Sequence, residues 1–257
     1  MCLLLISYRS HPAYDIILAA NRDEFHARPT SVARFWKDEP YILAGRDLQA
    51  GGTWLGITRQ GRIAAVTNYH EAALTDPSLL SRGALVSDYL RREGEPEHYA
   101  EIVNGNGKWY GGFNIILGKR DYLYYCSNRK EGYEILKPGI HGLSNGSLND
   151  NSFKVRRGVE QLGEFLSGEN IRPDDLFTLL SDSERAPDHE LQPPVGTIEE
   201  ERFYSPIFIM GADYGTRSST VIMIDKEGGV CFSERSFSPG GEHAGTVEYE
   251  FRIEELH

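Results

Sequence analysis

The stretch MCLLLISYRSHPAYDIILAANRDE, residues 1–24, decides the fold that we predict for this chain. Residues 3–6 and 16–20 are two short apolar runs of the length typical of buried strands, and the polar residues 9–12 lie between them. We therefore predict an antiparallel hairpin. Such a hairpin returns the polar tetrapeptide Asn21-Arg22-Asp23-Glu24 to the side of Cys2.

Cys2 becomes a residue with both a thiol and a free α-amine if the initiator methionine is removed. A free α-amine has a reference pKa of about 7.7–8.0 and a thiol one of about 8.5, so the amine can accept the thiol proton near neutral pH. Charged groups at residues 21–24 would orient the amine and favour the thiolate. The alternative is a chance small residue beside a solvated turn, and the sequence leaves open which of the four side chains faces the thiol.

Composition limits the class of protein. The chain has 257 residues, of which 40% are hydrophobic, and no repeat or linker divides it, so we predict a single domain spanning residues 1–257. A net charge of −11 argues against nucleic acid or an anionic membrane as the main partner. The three cysteines lack metal-binding spacing and cannot all pair, which indicates a reducing compartment. No apolar run approaches the roughly 20 residues of a membrane span, and no basic leader precedes the first run, so we expect a soluble, cytoplasmic protein.

The remaining pattern alternates strands with helices. Helices are predicted at 81–92 and 96–103, and a third has Val155, Val159 and Leu162 on one face. Residues 27–30 are interpreted as a loop, and 191–201 as an exposed loop that could also act as a lid. Further strands are predicted at 41–45, 54–58, 63–67, 113–117, 122–126, 207–210, 219–224, 230–233 and 246–253, the last at an edge. This order favours two antiparallel sheets packed face to face with helices outside.

Several ordered motifs together resemble one family, the NRDE protein family, which includes the eukaryotic transport and Golgi organisation protein 2 homologues. The motifs are Cys2, Asn21-Arg22-Asp23-Glu24, Gly51-Gly52-Thr53-Trp54-Leu55-Gly56, Val66-Thr67-Asn68-Tyr69 and Leu143-Ser144-Asn145-Gly146. The resemblance covers essentially the whole chain. It implies an amino-terminal-nucleophile (Ntn) hydrolase-type fold of the α+β class, a four-layer α/β/β/α sandwich of two antiparallel sheets. The family's eukaryotic members are associated with haem mobilisation and with lipid or acyl-CoA metabolism.

A more distant similarity, to cysteine Ntn hydrolases of the choloylglycine hydrolase and penicillin acylase type, implies a catalytic set. Its members are Cys2 as nucleophile, Arg22 and Asp23 beside it, Asn68 at the oxyanion, Asn145, and Arg217 as a late arginine. Those hydrolases carry an Arg-Asn-x-Asp order, whereas this chain has Asn-Arg-Asp-Glu. Arg22 and Arg217 are expected to lower the thiol pKa and fix a substrate carboxylate. The expected substrate contacts are Asn21, Glu24, Trp54, Tyr69 and His70.

Each of these residues also has a plain structural interpretation. Asn68 and Asn145 suit Asx turns, Arg217 suits a surface cation, and the aromatic residues suit the core. The eight histidines show no metal-binding spacing, so neither a metal nor a cofactor is expected. Two functions remain: an acyl-transfer enzyme that hydrolyses an amide or thioester of a small molecule through processed Cys2, and a non-catalytic carrier of a hydrophobic ligand such as haem or an acyl chain.

Overall fold

The computed structural model of the chain describes residues 2–71, 78–168, 171–191 and 196–254. These residues form two antiparallel sheets. The strands of the first sheet, in spatial order, are β10 (Gly139–Leu143), β1 (Cys2–Tyr8), β2 (Tyr14–Phe25), β11 (Tyr214–Asp225), β12 (Gly229–Phe237) and β13 (His243–Arg252). Those of the second sheet are β3 (Thr30–Phe35), β4 (Ile42–Asp47), β5 (Leu55–Thr58), β6 (Ile63–Asn68), β7 (Phe113–Lys119), β8 (Tyr122–Ser127) and β9 (Tyr133–Ile135). The helices are α1 (Arg82–Arg91), α2 (Pro96–Asn106), α3 (Phe153–Leu166), α4 (Pro173–Leu180) and α5 (Ile198–Tyr204).

The apolar side chains fall into three buried clusters that define four layers. Leu4 and Ile6 of β1 pack between the two sheets, against residues such as Ile57. Because side chains alternate along a strand, Leu3 and Leu5 face the other way and pack against α3 and α4. A third cluster packs the outer face of the second sheet against α1 and α2. The predicted α/β/β/α sandwich is confirmed, and each fully buried leucine or isoleucine stabilises it by about 1.5–3 kcal/mol.

Helix α3 lies unusually close to the first sheet because two glycines remove the side chains that would stand between them. A Cβ atom on Gly158 would lie 2.8 Å from Leu5 Cδ2, and one on Gly142 would lie 2.8 Å from Val155 Cγ1. Both distances are shorter than atoms in van der Waals contact allow. The first turn of α3 is thereby held against β1 and β10, under the start of the chain's first strand.

The strand pairs predicted around residues 9–12, 59–62 and 119–121 are confirmed, and β13 is an edge strand as expected. Residues 207–210 are not a strand. Residues 207–209 are buried and bonded to both side chains and backbone: the Ile207 carbonyl accepts from Asn21, the Ile209 N–H donates to Thr216 Oγ1, and the Phe208 N–H donates to the Asp182 carbonyl. The sequence pattern also missed strands β3, β9 and β10 and helix α4. Strand β3 begins at the last residue of the stretch interpreted as a loop, 27–30, and continues beyond it.

The predicted loop at 191–201 ends in a helix. Thr197 Oγ1 accepts a hydrogen bond from the Glu200 N–H at 3.2 Å, and the Glu200 carboxylate accepts one from the Thr197 N–H at 2.7 Å. This reciprocal cap explains why α5 begins at Ile198, and its Thr-x-x-Glu signature was present in the sequence. Residues 192–195 lie outside the described residues, and so does the lid hypothesis attached to them. In the described ranges no helix is both long and apolar enough to cross a membrane.

Candidate active site

The tetrapeptide at residues 21–24 lies inside β2, not in a turn after it, and its register with β1 sets the geometry of the site. Cys2 stands directly opposite Arg22 in the antiparallel pair. Side chains alternate between the two faces of a strand, so Cys2 shares a face with Leu4, and Arg22 shares a face with Ala20. Leu4 and Ala20 pack between the sheets, and Cys2 and Arg22 therefore face that inter-sheet space as well. The neighbouring side chain, Asp23, belongs to the opposite face, which the helices cover.

Cys2 is only 8% exposed, and its surroundings include both influences that raise the pKa of its thiol and influences that lower it. Burial raises the pKa of the thiol, and the nearby Asp23 carboxylate raises it further. The positive charge of the amino terminus, a hydrogen bond from the Asp23 backbone N–H and the charge of Arg22 lower the pKa, but the net shift is upward. Arg22 therefore acts in the expected direction without making the resting group a thiolate, so attack by Cys2 requires a base.

Asp23 is buried and tightly held. Its Oδ1 accepts a hydrogen bond from Thr216 Oγ1 at 2.7 Å, and its backbone carbonyl accepts one from the Tyr214 hydroxyl at 3.1 Å. Burial raises the pKa of the Asp23 carboxyl, and the charge that opposes this most strongly is that of Lys154. Because Asp23 also donates its N–H to the Cys2 sulfur, these bonds fix the position of the nucleophile.

Asn21 is structural and takes no part in the lining of the cleft. It is fully buried, and its Nδ2 donates at 2.8 Å to the carbonyls of both Leu180 and Ile207. Its Oδ1 accepts from Ser219 Oγ at 2.6 Å. The amide thus joins β2 to the end of α4, to the 207–210 segment and to β11, in place of the substrate contact that we expected from the sequence.

Replacing Asn21 by alanine is expected to lower the free energy of unfolding by about 3 kcal/mol or more. The change leaves two buried carbonyls and the Ser219 hydroxyl without their partner, and each such loss costs about 1–3 kcal/mol. Urea denaturation of both proteins measures the effect. The matched control is Asn106→Ala, because Asn106 is exposed and bonds only within its own helix; its stability should change by less than about 0.5 kcal/mol. Equal stabilities of the two variants would contradict the structural role.

Two asparagines stand at the end of β6 and after β10, and only one of them offers its amide to the cleft. Asn145 Nδ2 donates to the Asn68 backbone carbonyl at 2.7 Å, and the adjacent Ser144 hydroxyl donates to the Cys2 carbonyl at 2.8 Å. Asn145 therefore holds Asn68 close to the first strand. The Asn68 side chain lines the cleft and makes no hydrogen bond to another described residue, so its NH₂ is available to a ligand.

The site opens into a cleft of about 830 Å³ between the ends of the two sheets. Glu24, Trp54, Tyr69 and His70 all line it, together with the catalytic residues expected from the sequence. Five arginines and five carboxylates stand in its wall, namely Arg22, Arg28, Arg46, Arg82, Arg217, Asp23, Glu24, Asp47, Glu71 and Glu234. A space with this many charged groups suits a ligand that has polar and anionic parts.

Arg217 lines the cleft, but its guanidinium is hydrogen-bonded to three backbone carbonyls. Its Nη1 lies 2.9 Å from the carbonyl of Phe25, 3.2 Å from that of His26 and 3.1 Å from that of Arg28. Arg217 thus fixes the chain where it leaves β2. Burial lowers the pKa of this arginine, and the positive charge of Arg22 lowers it further. The largest influences on the thiol pKa come from other groups, so an effect of Arg217 on Cys2 stays a prediction.

Arg82 and Lys154 both interact electrostatically with Cys2, although no sequence pattern pointed to either. Arg82 begins α1, lines the cleft and donates from Nη1 to the Gly112 carbonyl at 3.2 Å. Burial lowers its pKa, and Cys2 is the group that most strongly opposes this. Neither a lone arginine after a serine nor a lysine in an amphipathic helix has a pattern that predicts such a position.

His70 connects the cleft to α5. Its Nε2 lies 3.1 Å from Glu201 Oε1, and its backbone N–H donates to the Asn145 carbonyl at 2.6 Å. His70 is thus a bonded polar residue in the wall of the cleft. Within the described part of the chain, no three histidine, cysteine, aspartate or glutamate side chains are grouped as a metal site would require.

Sequence comparison finds relatives that match this chain from end to end. The family model described as Transport and Golgi organisation 2 matches residues 1–239. The Transport and Golgi organization 2 homolog of Mus musculus is 36% identical over 99% of this chain and 100% of its own length. The corresponding Homo sapiens homolog is 35% identical over the same shares, and the Drosophila melanogaster protein 28% identical over 98% of this chain and 99% of its own.

Comparison with solved structures finds the same sandwich in more distant proteins. The Caenorhabditis elegans ortholog of N-acylethanolamine-hydrolyzing acid amidase covers 86% of this chain and 92% of its own, with a TM-score of 0.51 and 13% identity. A mutant of conjugated bile acid hydrolase from Clostridium perfringens covers 98% of this chain and 92% of its own, with a TM-score of 0.54 and 9% identity. At such identities the likeness shows the Ntn-hydrolase-like fold alone.

Proposed function

Because the chain belongs to the Transport and Golgi organisation 2 family and has an Ntn-hydrolase-like fold, we propose that it is a cysteine Ntn hydrolase or acyl transferase. Its substrate is a small molecule with an amide or thioester bond. The observation that carries the proposal is Cys2 itself, which lies at the start of the first strand, lines the cleft, and accepts the Asp23 N–H beside Arg22.

The proposed reaction begins with removal of the initiator methionine, which makes the Cys2 amine free to act as the base. The amine takes the thiol proton, and the sulfur forms a bond to the acyl carbon. The carbonyl oxygen becomes an oxyanion, to which Asn68 Nδ2 donates a hydrogen bond; one such donor contributes about 2.7–4 kcal/mol. The tetrahedral intermediate then breaks its C–N or C–S bond, and the ammonium proton passes to the leaving group. Water attacks the acyl-enzyme and releases the acid.

Other residues support this reaction indirectly. Asp23 follows Arg22, the residue opposite Cys2, and its carboxylate is fixed by Thr216; we assign it the role of holding the ammonium form. Arg22 and Arg82 both bring positive charge to the sulfur. Asn145 positions Asn68 through its backbone carbonyl. Under this proposal Arg217 acts through the turn after β2, where it keeps Arg28 at the cleft wall.

The charged wall of the cleft favours an enzyme over a carrier of an apolar ligand. Ten charged side chains, five of each sign, line the space, and burying haem or an acyl chain against them would strip water from charged groups, which is unfavourable. The apolar side chains Val32, Trp54, Leu79, Leu80 and Phe237 also line the space, and Val32 and Leu80 are both about half exposed. The proposed substrate therefore combines a modest apolar portion with polar or anionic groups.

Mass spectrometry of the intact protein tests the proposal. Protein with the initiator methionine removed is mixed with a panel of acyl thioesters and N-acyl amides that carry a carboxylate or phosphate. We expect an acyl adduct that maps to Cys2 and decays with release of the free acid. Cys2→Ala should form no adduct, whereas Cys126→Ala, which removes a thiol buried away from the cleft, should form it normally. Quantitative retention of the methionine in fully active protein would exclude the α-amine as base.

A further inference from the structure

A buried lysine with no hydrogen-bond partner among the described residues lies on α3, the helix that packs against the strand of the nucleophile. Lys154 is the second residue of α3 and only 5% exposed. Its Nζ is sealed from solvent and makes no hydrogen bond to a described residue. A buried ammonium in this position is unfavourable by itself, so another group in the structure must compensate it.

The groups around Lys154 come from four different parts of the chain. In order of their influence on its charge they are Asp23 on β2, Cys2 on β1, Asp150 in the loop before α3, and Glu201 on α5. Asp150 already accepts from the Ser152 N–H, and Glu201 is paired with His70. Burial lowers the pKa of Lys154, and Asp23 and Cys2 are the two groups that oppose this most strongly.

The relation between Lys154 and Asp23 is mutual. Each exerts the largest charge influence on the other, and both are buried. The close contacts at Gly158 and Gly142 hold α3 against β1 and β10, so the lysine cannot move away without disturbing the helix. The pair thus forms a built charge cluster on the helix side of β2, while Cys2 opens to the cleft on the other side.

We propose that Lys154 is a positioning residue of the Cys2 centre, whose ammonium compensates the buried Asp23 carboxylate and thereby stabilises the ion pair of Cys2 thiolate and α-ammonium. This inference rests on the proposed use of a free amine at Cys2. Without Lys154, Asp23 either takes up a proton and no longer holds the ammonium, or stays ionised and repels the thiolate. Both outcomes disfavour the ion pair, so loss of Lys154 lowers the population of the Cys2 thiolate in either case.

Alkylation of Cys2 by iodoacetamide tests the inference without any substrate. Its rate, measured by peptide mass spectrometry from pH 5 to 10 on processed protein, follows the thiolate population. In Lys154→Met we expect labelling at pH 7 about tenfold slower, with the midpoint of the pH profile about one unit higher. Lys154→Arg, which keeps the positive charge, should restore most of the rate. Cys126 in the same samples serves as an internal reference.

Two comparisons separate positioning from general damage. Lys108→Met removes a lysine that is exposed and stacked on Trp109, and it should leave the profile unchanged. In an Asp23→Asn background, Lys154→Met should slow labelling by less than threefold, because the carboxylate whose charge Lys154 compensates is absent. This comparison can still be made if the single variant Lys154→Met is too unstable to use. An unchanged midpoint in folded Lys154→Met, or an equal effect in both backgrounds, would overturn the inference. A lysine-dependent midpoint in a protein that forms no acyl adduct would uphold it and overturn the proposed hydrolase function.

Discussion

Protein that keeps any residue ahead of Cys2 is expected to be about 10²–10⁴-fold less active in acyl transfer than protein that begins at Cys2. The reason is the thiol pKa, which burial raises, so the thiol needs a base, and general-base catalysis contributes rates of this size. A peptide bond to a preceding residue converts the amine into an amide that cannot accept the proton. The loss should appear in kcat, since the cleft that binds the substrate is unchanged.

A leader that a site-specific protease removes gives the comparison in one preparation. Activity is measured before and after cleavage, with intact mass confirming the new terminus at Cys2. The matched control is a chain with the same leader attached at its other end, which should be fully active throughout. Equal activity before and after cleavage would show that the amine is not the base, and Lys154, the buried amine whose charge acts most strongly on the Asp23 carboxyl, would become the group to test next.

Much of the fold was predictable because strand pattern and turn position are local properties. The apolar runs at 3–6 and 16–20 and the polar residues between them were enough to place Cys2 beside residues 21–24. The alternation of faces along β2 then separates Arg22 from Asp23, but only once the strand is known to continue through both. Sequence pattern suggested that the strand ends before Asn21, because four polar residues rarely lie inside a buried strand.

The parts that could not be predicted depend on contacts between distant segments. Asn21 is buried because carbonyls from Leu180 and Ile207 happen to meet there, and neither position has a pattern that points to Asn21. Arg82 and Lys154 reach Cys2 from helices on opposite outer layers. No spacing rule connects a residue on a helix to a strand that begins many residues earlier, so the charges that tune the nucleophile appear only in three dimensions.

The two asparagines of the site illustrate how position separates roles that the sequence treats alike. The Asn145 amide donates a hydrogen bond to the Asn68 carbonyl, and the neighbouring Ser144 hydroxyl donates one to the Cys2 carbonyl. This segment therefore sets the distance between β6 and β1. Asn68 lines the cleft, and its own amide makes no hydrogen bond to another described residue. Removing Asn145 should therefore disturb both the nucleophile and the oxyanion donor, whereas removing the Asn68 side chain should affect the oxyanion alone.

Asn68→Ala is expected to lower kcat by about 10²–10³-fold, the effect of losing one oxyanion donor. Asn68→Asp, which keeps the size of the side chain but loses the NH₂, should be equally impaired. Alkylation of Cys2 by iodoacetamide forms no tetrahedral oxyanion, so it should proceed at the normal rate in both variants. In Asn145→Ala, by contrast, alkylation and acyl transfer should fall together. If Asn68→Ala slows alkylation as much as acyl transfer, the residue supports the nucleophile and the oxyanion must be stabilised elsewhere in the cleft.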